Sequence, residues 1–304
     1  MKYSYERKMK FLFQYSFIML VLALITIPTM NSSSSFSQED YTQGHEQQKI
    51  QSSQSGTQNL TDKYEWPNIH ENVVTDFTSN ASYPKIENTA FIHPFAVVIG
   101  ACYIGEFVMV APTAVCRGDE GTPIHISAHS NMQDDVVIHG LETTKDGKNL
   151  DNRHFTKDGE LLLGNDTRFI DGYSVFVGER TSLAHGTLVH GPAYIGNDTF
   201  VGMESLVFNA KVGNNVAIGV SSTITGGVQV PDNKFVPPGS IITSQEQVDK
   251  LPDRIGSAYE NINEEVVHVN EKLEEEYKEL NIQKIIAERE KAMERNILET
   301  GSNQ

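Results

Sequence analysis

The chain has 304 residues, with 24 Lys or Arg against 40 Asp or Glu, so its formal net charge at pH 7 is −16. Nucleic acids and anionic lipid surfaces attract clustered Lys and Arg side chains, so this acid excess excludes a general nucleic-acid-binding protein. Apolar residues make up 38% of the chain, which is enough to form the core of one or two domains. The two cysteines are too few for a disulfide framework.

The N-terminus has the features of an export signal. Its basic residues are Lys2, Arg7, Lys8 and Lys10. Residues 17–27 then form an apolar run that suits the central part of a signal peptide and is shorter than the roughly 20 residues needed to span a bilayer. We interpret residues 1–37 as a cleaved signal peptide, with an uncleaved membrane anchor or a buried helix as alternatives. We therefore expect an exported, extracytoplasmic protein that is either secreted or tethered to the outer face of the cell membrane.

The next segment, residues 38–82, predicts a disordered polar linker. It is rich in Gln, Ser, Thr, Asn and Asp and has few apolar residues. Such a composition buries too little apolar surface to offset the entropy lost on ordering the chain. Only the part around Trp66 and Pro67 is expected to pack on the domain that follows.

Aliphatic residues recur at every sixth position in four runs through the middle of the chain, with breaks before Ile126 and Val177 and a one-residue slip before Val212. They are Ile92, Val98, Ile104, Val110, Ile126, Met132, Ile138, Val177, Leu183, Val189, Ile195, Val201, Val207, Val212, Ile218, Ile224, Val230, Val236 and Ile242, with Cys116 in the same series. Neither an α-helix nor a flat β-sheet has this period, which is typical of a parallel β-helix. Residues 83–245 therefore predict an all-β solenoid, a left-handed parallel β-helix of hexapeptide repeats.

The period also assigns the two cysteines. Cys116 occupies an inward-facing aliphatic position, and Cys102 lies two residues before the inward-facing Ile104. We expect both to be buried as small apolar residues, and not to act as redox groups.

Two breaks interrupt the repeat, and a helical segment follows it. Residues 118–123 form a short break, whereas residues 140–174 form a long acidic loop that is extruded from the solenoid. Long excursions from regular structure are commonly functional. Residues 246–304 predict a helix packed on the β-helix. The residues of its predicted docking stripe are Val266, Val269, Leu273, Tyr277 and Leu280.

Three histidines are candidate metal ligands. His139 and His190 each follow an inward-facing aliphatic residue, so they occupy the same phase of the repeat. If the extruded loop accounts for the residues between them that exceed the length of one coil, His139 and His190 lie one coil apart and their imidazoles stack. His185 belongs to a neighbouring side of the solenoid, and a threefold oligomer could bring it to the other two. Three His with one open position is typical of catalytic zinc, although the alternative is that all three are ordinary surface residues.

Several separated motifs resemble the γ-class carbonic anhydrases, in particular the archaeal type with a leader peptide and an acidic loop. The motifs are residues 117–121, 130–134, 137–142 and 183–192, and the resemblance extends over about residues 70–280. It implies reversible hydration of CO2 to bicarbonate and a proton by a metal-bound hydroxide. The divalent metal would be Zn²⁺, with Fe²⁺ or Co²⁺ as alternatives, since all three accept His ligands and water. Carbonic anhydrase is itself the standard example of an enzyme whose metal lowers the pKa of its bound water.

The resemblance also implies roles for individual residues. The metal ligands are His139, His185 and His190, at the subunit interfaces of a homotrimer. Glu120 is the carboxylate beside the metal-bound water, with a hydrogen bond from Gln133. The remaining pocket residues are Asn131 and Asn270, the proton shuttle is Glu142, and the ion-pair network at the subunit contact contains Arg117, Asp119 and Asp134. The chain departs from the family pattern at His268, where the family has Tyr, which puts the orientation of Asn270 in question.

Two other functions compete with CO2 hydration. A hexapeptide-repeat acyltransferase would use one His as a base, but that function leaves the other two His, Glu120 and Gln133 unexplained. A metal-binding scaffold without hydratase activity would keep the ligands and use the C-terminal helix for assembly. For all three functions we expect no nucleic-acid partner, and contact with a membrane only through the N-terminal segment if it is uncleaved.

Overall fold

The computed structural model describes residues 67–120, 123–141, 144–145, 148–149 and 153–301. The predicted signal peptide, residues 1–37, lies outside the described residues, as does most of the predicted linker. Within the described part of the chain, no helix combines the length and apolarity that crossing a membrane requires.

Short strands numbered in chain order build a parallel solenoid. They are β1 (Ile69–His70), β2 (Lys85–Ile86), β3 (Phe91–Ile92), β4 (Val97–Gly100), β5 (Cys102–Ile104), β6 (Met109–Val110), β7 (Val115–Gly118), β8 (Ile124–Ile126), β9 (Asn131–Met132), β10 (Val137–His139), β15 (Val175–Val177), β16 (Ser182–Leu183), β17 (Leu188–Ile195), β18 (Phe200–Val201), β19 (Leu206–Val212), β20 (Ala217–Ile218), β21 (Thr223–Ile224), β22 (Gln229–Val230), β23 (Phe235–Val236) and β24 (Ile241–Ile242). The numbers β11 to β14 belong to the extruded loop.

The strands stack into three faces. The first face is the ladder β1-β4-β7-β10-β17-β19-β21-β24, and the second is β2-β5-β8-β15-β17-β19-β22. The long strands β17 and β19 belong to both ladders because each turns a corner. The third face is a separate sheet that contains β3, β6, β9, β16, β18, β20 and β23.

The hexapeptide positions line the interior of the solenoid. On the first face, Val98, Cys116, Ile138, Val189, Val207 and Ile224 are in register and completely buried. Each coil thus adds one aliphatic layer per face to a continuous core. The predicted fold class, an all-β parallel solenoid of hexapeptide repeats with a C-terminal helix, is confirmed.

The N-terminal edge of the solenoid begins inside the segment assigned to the linker. Strand β1 pairs with β4, so Ile69 lies beside Val98. Farther along, the Thr78 hydroxyl donates a hydrogen bond to the Asp119 carbonyl at 3.3 Å. The described end of that segment, residues 67–82, therefore contacts the solenoid.

The two cysteines form a disulfide, which the sequence interpretation missed. Both are buried as expected, but Cys102 on β5 and Cys116 on β7 are bonded to each other across the solenoid interior. The hexapeptide phase gave the side on which each sulfur lies, but it contains no information on the distance between strands of consecutive coils.

The extruded loop contains two antiparallel hairpins. Strands β11 (Thr144–Lys145) and β12 (Lys148–Asn149) form the first, β13 (Arg153–Phe155) and β14 (Leu161–Leu163) form the second, and a 3₁₀ helix spans Phe169–Asp171. Phe155 packs on Tyr194 and Phe176 of the second face. The Lys211 ammonium donates a hydrogen bond to the Gly159 carbonyl at 2.6 Å. The second hairpin is therefore fixed on the solenoid surface.

The C-terminal region contains a short helix, α1 (Gln245–Val248), and a long one, α2 (Ile262–Gly301). Helix α2 packs along the third face as far as the first coil, where Lys278 donates to the Thr89 carbonyl at 2.8 Å. The predicted docking stripe is confirmed only in part: Tyr277 stacks on Phe91 of β3, with ring centroids 5.5 Å apart, but Val269, Leu273 and Leu280 are more than 40% exposed. The buried face instead contains Asn263, Val267, Asn270 and Glu274.

Candidate active site

Arg117, His139 and His190 lie side by side on three consecutive coils. Strand β10 places His139 in register with Arg117 on β7 and with His190 on β17. Because the extruded loop leaves and rejoins the solenoid without disturbing this register, two residues that are 51 apart in the sequence become neighbours. The predicted stacking of the two imidazoles is present, with ring centroids 5.1 Å apart.

The two imidazoles are held in defined orientations. His139 Nδ1 and His190 Nε2 are 3.2 Å apart. His190 Nδ1 lies 3.0 Å from the Gly191 carbonyl, which can only accept a hydrogen bond, so this nitrogen carries the proton. His190 Nε2 consequently has the lone pair, which faces His139 Nδ1.

Two carboxylates from the short break of the repeat face His139. Glu120 Oε1 is 3.1 Å from His139 Nε2, and Asp119 Oδ1 is 3.0 Å from Arg117 Nε. Arg117 Nη2 lies 2.7 Å from His139 Nε2. Burial by itself would raise the pKa of Asp119, but His139 and the Arg117 charge hold it below the ordinary value. We call Arg117, Asp119, Glu120, His139 and His190 the two-histidine half-site.

His185 lies on a different corner, after strand β16 of the third face. Its Nδ1 is 2.9 Å from Asp134 Oδ2. The ring lines a groove of about 530 Å³ between the solenoid and α2, and Gln133, Asp134 and Asn270 line the same groove.

The polar groups beside His185 form a short network. Gln133 donates to Asn131 at 3.1 Å, and Asn131 donates to the Ser182 hydroxyl at 2.9 Å. Asn270 donates to the Val266 carbonyl of its own helix at 2.9 Å. We call Asn131, Gln133, Asp134, His185 and Asn270 the one-histidine half-site.

A single chain does not unite the two half-sites. Within the described residues, no group of three or more His, Cys, Asp and Glu side chains has metal-binding geometry. Arg117 and Asp119 pair within one chain, although the resemblance implies an ion pair across a subunit contact. Gln133 donates to Asn131, which lies two residues earlier on the same face. Glu142, the predicted shuttle, lies outside the described residues, and His268 is exposed on α2.

The two-histidine half-site fits a divalent metal. His139 and His190 bring two imidazoles within 3.2 Å of each other, and the Glu120 carboxylate lies 3.1 Å from the first of them. Neutral imidazoles beside a carboxylate are also the donor types that zinc, iron(II) and cobalt(II) accept.

Two supporting groups have no signal in the sequence. The Gly191 carbonyl fixes the protonation of His190, and Ser182 orients Asn131. Ser182 stands directly before the inward-facing Leu183, so its outward direction follows from the period. Its contact with Asn131 follows only from the pairing of β9 with β16.

Comparisons with known proteins show what the chain is similar to. No family model matches the chain. The carbonic anhydrase of Methanosarcina thermophila is 45% identical over 218 residues, which are 71% of this chain and 83% of that protein. The carboxysome assembly protein CcmM of Nostoc is 42% identical over 179 residues, 59% of this chain and 29% of that protein. A solved hexapeptide transferase family protein from Anaplasma phagocytophilum is 21% identical with a TM-score of 0.46, covering 64% of this chain and 93% of that one.

The identity to the Methanosarcina protein extends over most of both chains. The chain belongs to the carbonic anhydrase family, in the γ class of archaeal type.

Proposed function

We propose that this protein catalyses the reversible hydration of CO2 to bicarbonate and a proton, at a divalent metal and as a homotrimer. The observation that carries the proposal is the pair His139 and His190, in register on adjacent coils and beside Glu120. An acyltransferase would need only one His as a base, so the paired imidazoles favour the hydratase.

His139 and His190 of one subunit and His185 of a neighbour would hold the metal. A divalent metal on neutral imidazoles keeps its full charge and makes water a nucleophile near neutral pH. Zn²⁺ is our first assignment, and Fe²⁺ and Co²⁺ are the alternatives.

Glu120 is the proton acceptor nearest the ligands. Its Oε1 atom, 3.1 Å from His139 Nε2, can accept a hydrogen bond from the reacting water and orient a water lone pair toward the carbon of CO2. The Arg117 guanidinium lies 3.7 Å from the same oxygen. We assign Glu142 the next step, transfer of the proton to buffer.

The homotrimer would complete the site. On the first face, outward-facing aliphatic residues stand in register beside the two-histidine half-site: Val97, Val115, Val137, Leu188 and Leu206. Such a stripe suits a second copy of the chain, and a threefold axis would give every copy the His185 of a neighbour. Gln133 could then reach Glu120 between subunits.

Export also belongs to the proposal. Its first support is the N-terminal sequence, and its second is the buried Cys102–Cys116 disulfide, because such bonds persist mainly in oxidising compartments. Cell fractionation with antibody detection tests this part, and recovery of reduced protein from the cytoplasm would contradict it.

The function is tested by metal analysis and stopped-flow CO2 hydration, on protein purified without oxygen. Wild type should contain about one metal per chain and hydrate CO2, whereas His185→Ala should lose both properties. An acyltransferase would contain no stoichiometric metal. Bound metal without hydration in wild type would identify an inactive scaffold and contradict the proposal.

A further inference from the structure

Asp134 and His185 occupy equivalent positions on adjacent coils. Strand β9 pairs with β16 so that Met132 lies beside Leu183, and Asp134 and His185 each follow two residues later. The repeat therefore brings this carboxylate and this imidazole together in the same way that it pairs His139 with His190.

Two hydrogen bonds join the corners that carry these residues. Asp134 Oδ2 is 2.9 Å from His185 Nδ1, and the Gly186 N–H donates to the Asp134 backbone carbonyl at 2.9 Å. A carboxylate that faces Nδ1 favours the tautomer with the proton on Nδ1, which leaves a lone pair on Nε2.

In both half-sites a hydrogen-bond acceptor faces Nδ1 of a histidine, but the two acceptors differ in charge. His190 Nδ1 donates to a neutral carbonyl, that of Gly191, whereas His185 Nδ1 faces an anion. Carboxylates behind a metal-ligating His fix the ring and raise the basicity of the ligating nitrogen. His185 has greater need of such support, because its side chain is 54% exposed and that of His139 only 13%.

We propose that Asp134 is a positioning residue of the metal site: its carboxylate holds the tautomer and the direction of His185, so that Nε2 is presented to the metal of the neighbouring subunit. The resemblance implies only a place for Asp134 in an ion-pair network at the subunit contact. This inference rests on the proposed function, since it requires that His185 binds metal.

The test compares Asp134→Ala and Asp134→Asn with wild type and with Asp135→Asn as the matched control. Asp135 is the adjacent acid at the same corner, with a φ of 60° that Asn also adopts. Metal affinity is measured by competition with a chelator, and the ligand geometry is followed by the visible absorption of Co²⁺-substituted protein. Sedimentation reports the oligomeric state.

We expect Asp134→Ala to weaken metal binding about 10- to 100-fold and to change the Co²⁺ spectrum, with the trimer intact. Asp134→Asn should weaken binding less, and Asp135→Asn should match wild type. If Asp134→Ala does not assemble, Asp134→Asn decides. Wild-type affinity and spectrum in an assembled Asp134 variant would overturn the inference alone, whereas absence of metal from wild type would overturn the proposed function as well.

Discussion

At the scale of single residues, the short break of the repeat explains why Glu120 can act. The break directly follows β7, whose last residues are in register with the end of β10. The carboxylate therefore stands beside His139 without needing a long loop. Asp119 occupies the same break but pairs with Arg117 at 3.0 Å, which leaves Glu120 as the acid nearest the imidazoles.

Glu120→Gln should lower the turnover number for CO2 hydration about 100- to 1,000-fold, because general-base groups contribute effects of that order. The amide keeps the size of the side chain but cannot accept a proton. The metal content should not change, because Glu120 is not one of the proposed ligands. Stopped-flow rates and metal analysis of the same preparation check both statements.

The control for this variant is Glu106→Gln, which alters an exposed acid at another corner of the solenoid. Glu106→Gln should hydrate CO2 at the wild-type rate. A Glu120→Gln protein with full metal and an unchanged turnover number would remove Glu120 from the reaction.

At the scale of elements, an aromatic column on the second face fixes the extruded loop. Tyr103, His125, Phe176 and Tyr194 stack in register, with ring centroids 4.5, 4.9 and 5.3 Å apart. Tyr173, at the end of the loop, packs against His125 and Phe176. Burial, with a smaller effect of the Lys157 charge, lowers the pKa of His125 to about 4.

His125 should make the protein less stable as the pH falls. Its pKa is lower in the folded chain than the unperturbed value of 6.5, so below pH 6.5 the unfolded chain binds a proton that the folded chain does not bind until near pH 4. The free energy of unfolding should fall by about 2 kcal/mol between pH 7 and pH 5 from this residue.

Replacing His125 with Phe keeps the stack and removes the titration. Urea unfolding of His125→Phe at both pH values should therefore lose about 2 kcal/mol less than wild type. His268→Gln, at an exposed position of α2, serves as the control. An equal pH dependence in wild type and His125→Phe would rule out His125 as the source.

The period predicted the solenoid because only one side chain of each short strand can enter the narrow core. The same phase placed His139 beside His190. It could not predict how the extruded loop folds, since residues 140–174 have no repeat. The helical spacing of apolar residues on α2 missed the most buried positions of that helix, because they include Asn263, Asn270 and Glu274, which pack despite their polarity.

At the scale of the whole molecule, the two half-sites lie on separate corners, so the proposed metal site requires assembly. The spacing predicted that His185 would face another side than His139 and His190, and the coil register places it there. The sequence has no signal for the relative orientation of subunits, because the outward-facing aliphatic residues lie on five different strands and only the folded solenoid brings them together. A homotrimer stays a prediction.

Mixing two inactive variants tests whether sites are shared. His139→Ala keeps an intact one-histidine half-site, and His185→Ala keeps an intact two-histidine half-site. Refolding them together in equal amounts should give about one quarter of the wild-type CO2 hydration activity, since random trimers form an intact site at that fraction of interfaces.

Each variant refolded alone should be inactive, as should a mixture of His139→Ala with His190→Ala, which damage the same half-site. Activity measured after mixing identifies shared sites. A mixture of His139→Ala and His185→Ala with no activity, but normal assembly, would place all three ligands within one subunit.

The disulfide has a consequence for the ends of the solenoid. Coils are stabilised only by their neighbours, so the terminal coil is the one that frays. Cys102 and Cys116 join consecutive coils at the N-terminal end, and Arg117 follows Cys116 directly. Fraying that begins at the N-terminal coil must therefore stop at this disulfide. Its second cysteine, Cys116, directly precedes the segment that carries Arg117, Asp119 and Glu120.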